Sequence, residues 1–135
     1  MSHNPSVFEK GGPLPEQFSK FFIGQAYLQP LTDKGGPISN VTFEPACRNN
    51  WHIHHAKSGG GQILLVTGGK GWYQEWGKEA QQLLPGDVVV IPAGVKHWHG
   101  AAADSWFSHL AVEVTGEETS NEWLEAVTDE EYAKL

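Results

Sequence analysis

Residues 85–99 read PGDVVVIPAGVKHWH, and this stretch decides the fold. Its apolar core lies between a Pro-Gly turn and a Pro-x-Gly turn, in which proline presets φ and glycine admits positive φ. A strand is therefore predicted over residues 87–91. Short strands between turns are typical of an all-β sandwich or barrel. The stretch ends in His97 and His99, which are two residues apart and project to one face of a strand.

The same rhythm of short apolar segments and turns runs through the middle of the chain, which contains 16 Gly and 8 Pro in all. Besides residues 87–91, strands are predicted over residues 21–28, 38–43, 62–67, 71–76, 80–84 and 105–115. Gly68-Gly69 is predicted to close a hairpin, and Pro85-Gly86-Asp87 to form a second tight turn. Consecutive strands are therefore expected to be antiparallel neighbours.

The two ends of the chain lack this rhythm. Residues 1–15 are predicted to be a loosely held arm of the kind that becomes ordered against a partner subunit. Near the other end, Thr119 with Glu122 and Thr128 with Glu131 match the capping box of a helix start. We expect one domain over residues 1–135, with an N-terminal arm (1–20), a barrel (21–115) and a C-terminal helical segment (119–135).

Composition excludes several classes of function. The 135 residues carry a formal net charge of −7, the wrong sign for binding nucleic acid by counterion release. Arg48 is the only arginine, so one chain cannot build a multi-arginine phosphate clamp, and a small-molecule substrate is favoured. Cys47 is the only cysteine and cannot form an internal disulfide, which predicts a cytoplasmic protein. No apolar run approaches the ~20 residues that cross a bilayer, so no membrane insertion is expected.

Chemistry concentrates in the histidines. Five of the seven fall in two groups, His52, His54, His55 and His97, His99. On a strand, His52 and His54 project to one face while His55 points away, unless the register slips and His55 replaces His54. Imidazole suits Zn, Fe, Mn, Ni or Cu, and three imidazoles leave coordination positions open. The sequence therefore predicts a metal site that is open to a ligand.

Two spaced motifs carry a family resemblance: Ala46-x5-His52-x-His54-x7-Gln62-x6-Gly69 and Gly86-x5-Pro92-x-Gly94-x2-His97. They resemble the two motifs of the cupins, a family of small jelly-roll β-barrels that bring three histidines and usually a glutamate together around a metal. The first motif departs from the pattern in having Ala46 for glycine and Gln62 for glutamate. Residues 57–61 lengthen it and are predicted to form a mobile loop beside the site. After the second motif, Ala101 stands where asparagine is expected.

The resemblance narrows to one group of cupins. The segments His97-Trp98-His99-Gly100-Ala101-Ala102, Ser108-His109-Leu110-Ala111 and Trp123-Leu124 resemble the small bacterial cupins with hydroxynitrile lyase activity. This resemblance implies cyanohydrin cleavage and synthesis, and a homodimer formed through the N-terminal segment. It also implies a divalent ion, preferably Mn²⁺ with Fe²⁺, Ni²⁺ or Zn²⁺ as alternatives, that is held by His52, His54, Gln62 and His97.

The candidate catalytic and substrate-binding residues lie on the strands next to the predicted metal site. Strand parity puts His109 in the interior with Phe107, which makes His109 a candidate acid/base; the alternative is a core histidine satisfied by a hydrogen bond. His99, Trp98 and Phe107 are candidates for substrate binding, although aromatic residues on strands are more often packing residues. A neutral Gln62 ligand leaves the ionic charge uncompensated and predicts a strong Lewis acid.

Two other functions use the same residues. A cupin dioxygenase would share these ligands and would consume oxygen in a metal-dependent way. A non-catalytic cupin that binds a small molecule would be stabilised by its ligand without forming product.

Overall fold

The computed structural model describes residues 3–135. Its strands are β1 (Gly12–Pro13), β2 (Phe22–Ile23), β3 (Ala26–Thr32), β4 (Ile38–Phe43), β5 (Arg48–Asn49), β6 (His52–His55), β7 (Ser58–Gly59), β8 (Gln62–Gly69), β9 (Gly71–Glu75), β10 (Gln81–Leu83), β11 (Val88–Ile91), β12 (His97–Ala101), β13 (Phe107–Glu113), β14 (Gly116–Glu117) and β15 (Ser120–Trp123). Two short helices are α1 (Glu16–Ser19) and α2 (Asp129–Tyr132). Within residues 3–135, no helix is long and apolar enough to span a membrane.

Two antiparallel sheets build the barrel, so the predicted all-β fold is confirmed. The first sheet has the order β1-β3-β4-β13-β8-β11, and the second has β10-β9-β12-β5-β2 with β6 and β15 attached to it. The chain crosses repeatedly between the sheets, as in a jelly roll, while β3–β4 and β9–β10 are consecutive antiparallel neighbours within one sheet. The predicted hairpin at Gly68-Gly69 is therefore wrong, because β8 and β9 belong to different sheets. The Pro85-Gly86-Asp87 turn forms, but it also crosses from one sheet to the other.

The core lies between the sheets, and strict alternation along β8 shows how it is filled. Gln62, Leu64 and Val66 are buried, while the residues between them are only half-buried. The inward side chains pack against those of the facing sheet, among them Phe43, Tyr73, Ile91 and Phe107. Burying a side chain of this size contributes about 1.5–3 kcal/mol, and this alternation fixes the register of the strands that carry the site.

Two predictions near the termini need correction. Residues 21–28 are not one strand, because Gly24 adopts a φ of 92° and separates β2 from β3. The capping box proposed at Thr119 is also wrong: residues 120–123 form β15 and pair with β6. The box at Thr128 is present, with its hydroxyl accepting from the Glu131 backbone N–H, so the C-terminal segment is helical only at α2.

The N-terminal segment lies on its own chain. Of the predicted arm, Met1 and Ser2 fall outside the described residues. The rest is tied to the first sheet: β1 pairs with β3, and the Asn40 amide donates to the Glu9 carbonyl at 2.9 Å. Leu14 packs against the core. The segment predicted to be a loosely held arm is therefore part of the barrel wall.

The inserted loop is likewise held by hydrogen bonds. β7 pairs with β14 in a small two-stranded sheet, and the Gly60 N–H donates to the Thr115 carbonyl at 3.1 Å. Gly61 has a φ of 89°, and a Cβ there would lie 2.3 Å from the Ile91 carbonyl oxygen. The glycine run lets the chain pass close to β11 just before Gln62. The loop that was expected to be mobile is therefore held by strand pairing and by this close contact.

A substitution at Gly69 tests the close packing at the point where the chain passes from β8 to β9. Its φ is 74°, and a Cβ would fall 1.8 Å from the Trp106 carbonyl oxygen. Gly77 is a matched control, with a φ of 82° and nothing within 4 Å. We expect Gly77→Ala to lower the free energy of unfolding by about 1 kcal/mol and Gly69→Ala by about 3 kcal/mol or more. Urea unfolding measures both losses, and equal losses would contradict the close approach.

Candidate metal centre

The second sheet brings three of the predicted histidines together. β6 buries His52 and His54 on one face, and β12 runs alongside with His97 directly paired to His52. The ring centroids of His52 and His97 are 4.1 Å apart, and those of His54 and His97 are 5.2 Å apart. One ring nitrogen from each residue lies within 4.8 Å of the other two. A buried cluster of this geometry fits a metal site.

Each of the three rings is oriented by an oxygen atom that can only accept a hydrogen bond. His52 Nδ1 donates to the Asn50 carbonyl at 2.8 Å, and His97 Nδ1 donates to the Val95 carbonyl at 2.9 Å. His54 Nδ1 donates to Asn121 Oδ1 at 2.8 Å. In a neutral imidazole the other nitrogen then carries the lone pair, so Nε2 is the ligand atom in all three. Among residues 3–135, Nε2 of His54 and of His97 is buried without a hydrogen-bond partner.

Burial keeps two of these imidazoles, those of His52 and His97, neutral. Desolvation lowers the pKa of His97 to about 4, and neighbouring His54 lowers it further. The pKa of His52 is likewise lowered well below its ordinary value, mainly by burial and then by nearby His97. A neutral ring is the form that binds a cation. At neutral pH these residues therefore need lose no proton before they bind an ion.

Gln62 supplies a fourth donor. Its Nε2 donates to Glu113 Oε1 at 2.6 Å, and its Oε1 is buried with no partner in the described part of the chain. An amide oxygen is a suitable ligand for a hard or borderline cation. The fit of the site to a divalent ion thus rests on three orphaned atoms: Nε2 of His54, Nε2 of His97 and Oε1 of Gln62.

The expectation of an uncompensated ionic charge needs correction. Glu113 follows His109 on β13 and is the register partner of Gln62 on β8. Its carboxylate therefore lies one hydrogen bond from a candidate ligand and borders the same cavity. The sequence signal was available in the strand parity, because residues 109, 111 and 113 share a face.

His55 lies on the opposite side of β6 from the cluster. It is exposed, and its Nε2 is 2.7 Å from Glu122 Oε1 on β15. Asn121, one residue earlier on β15, faces inward and orients His54. The pairing of β15 with β6 therefore fixes which histidine faces the cavity. The alternative in which His55 replaces His54 is wrong in this register.

His99 and His109 form a pair behind the cluster. The side-chain oxygen Oδ1 of Asn49 accepts a hydrogen bond from the His99 backbone N–H at 2.9 Å. This contact leaves the side-chain Nδ2 of Asn49 facing His99 Nε2, at a distance of 3.3 Å. His99 Nε2 is then an acceptor, so its Nδ1–H donates to His109 Nε2 at 3.2 Å. Burial lowers the pKa of both rings, that of His109 to about 4. Sequence reasoning missed Asn49 altogether.

A small cavity of about 250 Å³ opens onto these residues. His99 borders it, whereas His109 is fully buried and meets the cavity through His99. The predicted interior position of His109 is therefore confirmed, with His99 between it and the cavity. The cavity is mostly apolar, with walls formed by Phe18, Phe22, Leu28, Val41, Ala111 and Trp123. Because Phe18 belongs to α1, the N-terminal segment closes part of the cavity of its own chain.

The two aromatic candidates for substrate binding lie elsewhere. Trp98 is on the outer face of β12, packed with Trp51 and Val127 beneath the C-terminal segment, and its Nε1 donates to Gln74 at 2.9 Å. Phe107 is fully buried in the core, with its ring 5.6 Å from that of His109. Neither borders this cavity, and both pack against other side chains in the structure, so their contact with substrate stays a prediction.

Comparison with known proteins agrees with this geometry. The family model described as "Cupin domain" matches residues 39–113, which include all four candidate ligands and both residues of the His99–His109 pair. The (R)-mandelonitrile lyase of Granulicella tundricola is 40% identical over 118 residues, covering 84% of this chain and 87% of that protein.

Solved structures give the same result. The crystal structure of a cupin-like protein from Thermotoga maritima is 40% identical, with a TM-score of 0.81 and 96% of each chain covered. A predicted oxalate decarboxylase from the same organism has a TM-score of 0.65 at 18% identity, covering 78% of this chain and 93% of its own. The second likeness extends to the fold alone.

Adjacent histidines give a matched test of the site. We expect His54→Ala to lower the affinity for Mn²⁺ at least 10-fold, because it removes a ligand whose orientation is fixed by Asn121. His55→Ala removes the same side chain from the outer face and should bind Mn²⁺ as the unchanged protein does. Isothermal titration of chelator-treated protein measures both. Loss of binding in His55→Ala alone would show that the register of β6 is wrong.

Proposed function

Because the chain belongs to the cupin domain family, with a lyase as a close relative, we propose that it is a metal-dependent hydroxynitrile lyase. The reaction is the cleavage of a cyanohydrin to a carbonyl compound and hydrogen cyanide, and its reverse. One observation carries the proposal: the lone-pair atoms of His54, Gln62 and His97 are buried without partners beside a small apolar cavity.

The proposed metal ligands are His52, His54, His97 through Nε2 and Gln62 through Oε1. A divalent ion bound by them would supply Lewis acidity toward the substrate. We propose Mn²⁺ as the resident ion, since an oxygen donor joins the three nitrogens and carboxamide oxygen suits harder cations; Fe²⁺, Ni²⁺ and Zn²⁺ are the alternatives. Elemental analysis of protein purified without added metal identifies the ion.

The proton path in the proposal uses His99 and His109. Cleavage removes the hydroxyl proton, breaks the bond to the cyano carbon, and leaves the electron pair with cyanide, which takes up a proton. His99 and Asn49 border the cavity, and the His99 Nε2 lone pair, which accepts from Asn49 Nδ2 at 3.3 Å, can take the hydroxyl proton when substrate displaces that contact. Its Nδ1 proton can then pass to His109 Nε2, 3.2 Å away. The histidine pair then gives one proton to cyanide, so hydrogen cyanide leaves and the pair is neutral again.

The cavity favours a small, mostly apolar substrate. Its volume of about 250 Å³ lies below the range of roughly 300–1,000 Å³ found for drug-sized ligands. Trp123 borders it and stacks on His52, with ring centroids 4.6 Å apart, and Phe22 stands beside Trp123. An aromatic aldehyde cyanohydrin such as mandelonitrile, the substrate named for the Granulicella relative, supplies a ring for these walls.

We propose a cytoplasmic location on the basis of the single thiol. Cys47 is fully buried, and desolvation raises its pKa to about 12. A thiol held in its protonated form is a poor partner for disulfide exchange. The protein thus needs no oxidising compartment, and a reducing one leaves it unchanged.

Mandelonitrile cleavage tests the proposed reaction. Protein loaded with Mn²⁺ or Fe²⁺ is expected to release benzaldehyde and cyanide, while His54→Ala is inactive and His55→Ala retains full activity. His109→Phe should lower kcat about 100-fold or more with its metal content unchanged, because it removes the second proton carrier. Metal-loaded protein that turns over mandelonitrile no faster than His54→Ala would disprove the lyase. Metal-dependent oxygen uptake would assign it as a dioxygenase instead.

We also propose a homodimer, formed through the outer face of the first sheet rather than through the N-terminal segment. Strand alternation turns seven aliphatic side chains outward in adjoining rows, and Val88 and Val90 are 60% and 65% exposed. An exposed aliphatic patch of this kind marks an interaction surface, and two copies related by a two-fold axis can each bury their patch against the other. The seven side chains are Ile38, Ile63, Leu65, Val88, Val90, Leu110 and Val112.

A lysine in this outer face tests the assembly. We expect the unchanged protein to be a dimer by light scattering at micromolar concentration and Val90→Lys to be a monomer, because a charge would be buried without a partner. Leu135→Lys is the control, since Leu135 is 42% exposed and lies beside Trp72 and Gln74 of the second sheet. A monomeric unchanged protein, or a dimeric Val90→Lys, would refute this interface.

A further inference from the structure

Among residues 3–135, Glu113 is the one carboxylate that accepts a hydrogen bond from a candidate ligand side chain. It stands at the last position of β13, opposite Gln62 at the first position of β8. Both side chains border the cavity, and Gln62 Nε2 lies 2.6 Å from Glu113 Oε1. A hydrogen bond of this length to an ionised acceptor belongs to the stronger class.

This contact dictates which way the Gln62 amide faces. A carboxylate has lone pairs and no proton to give, so only the NH₂ end of the amide can meet it. The carbonyl end must then point away from Glu113. Oε1 is buried with no partner among residues 3–135, as are Nε2 of His54 and of His97. Without the carboxylate, the amide could turn and present a donor that no cation binds.

The same contact places a negative charge behind a neutral ligand. Three imidazoles and an amide bring no charge to a divalent ion. A carboxylate that accepts from the amide NH₂ draws electron density toward Oε1 and strengthens it as a donor. Inside a protein, where screening by water is weak, such an interaction is stronger than it is at the surface.

We propose that Glu113 is the positioning residue of the metal centre: its carboxylate turns Gln62 Oε1 toward the ion and supplies negative charge through the hydrogen bond. Gln62 and Glu113 thus act together as one ligand unit in place of a directly bound carboxylate. This inference rests on the proposed metal centre, and it does not require that the reaction be cyanohydrin cleavage.

The test is an exchange of the two side chains. In Glu113→Gln the charge is lost and the amide is no longer forced into one orientation, so the affinity for Mn²⁺ should fall about 10- to 100-fold. The double variant Gln62→Glu/Glu113→Gln puts the carboxylate on β8 and the amide on β13, which restores both the charge and the hydrogen bond. Its affinity is expected to return at least to within about 5-fold of the unchanged protein, because a charge again lies next to the ion; the loss of affinity in a folded Glu113→Gln is the result that a purely structural role for Glu113 does not predict.

Isothermal titration of chelator-treated protein with Mn²⁺ at one pH gives these affinities, and circular dichroism of the metal-free variants checks that they fold. Glu117→Gln makes the same chemical change on exposed β14 and should bind Mn²⁺ like the unchanged protein. Equal affinity in Glu113→Gln and the unchanged protein overturns the inference, and so does a double variant that binds no better than Glu113→Gln. If Glu113→Gln does not fold, recovery of folding and binding in the double variant supports the inference, and failure of both overturns it.

These outcomes are separate from those of the lyase assay. A drop in affinity in Glu113→Gln together with recovery in the double variant supports the role of Glu113 even when mandelonitrile is not turned over. Conversely, mandelonitrile cleavage by the unchanged protein leaves the inference refuted if removing the Glu113 charge does not change Mn²⁺ affinity. An unchanged protein that binds no Mn²⁺ refutes both.

Discussion

Nitrogen lone pairs that converge in a desolvated interior are the constraint on which the rest of the structure depends. Leaving a buried polar atom without a partner costs roughly 1–3 kcal/mol. Four such atoms, on His54, Gln62, His97 and His109, lie in or next to the site, out of five in the described residues. The barrel therefore holds a buried cluster of polar atoms that have no protein partner. An ion bound by His54, Gln62 and His97 would remove this cost for three of the four atoms, which couples metal binding to the stability of the fold.

Local backbone geometry does much of the orienting. His52 and His97 each donate Nδ1–H to the carbonyl of the residue two positions earlier, Asn50 and Val95. The same short-range contact on two neighbouring strands thus sets the same tautomer twice. Only His54 has a partner that is distant in sequence, Asn121. The pairing of β15 with β6 places Asn121 opposite His54. The C-terminal segment therefore takes part in the site without supplying a ligand.

Much of this arrangement was predictable from the sequence, and the failures have physical reasons. The parity of residues 52 and 54 and of 97 and 99 placed these histidines on inward faces, because the side-chain period of a strand is two. The Gly68-Gly69 turn was misassigned because turn residues show where a chain bends but not which sheet it enters next. Trp98 shares a motif with two inward histidines, yet parity places it outside. Strand parity places Glu113 on the same face as His109, but its pairing with Gln62, like the contacts of Asn49 and Asn121, joins distant segments, and a single sequence carries no signal for such pairings.

The donor set of the site is consistent with chemistry in which negative charge leaves the substrate. A glutamate bound directly would put a full charge where a departing anion must be stabilised. Gln62 keeps that position neutral, while Glu113 holds the charge one hydrogen bond away, on the side facing β13. The His99–His109 pair is neutral before it accepts a proton and positively charged afterwards, and the apolar walls limit competition from water for that proton. A carboxylate bound directly would attract the ion through its own charge. It would also repel the anion that leaves the substrate, whereas the neutral Gln62 does not.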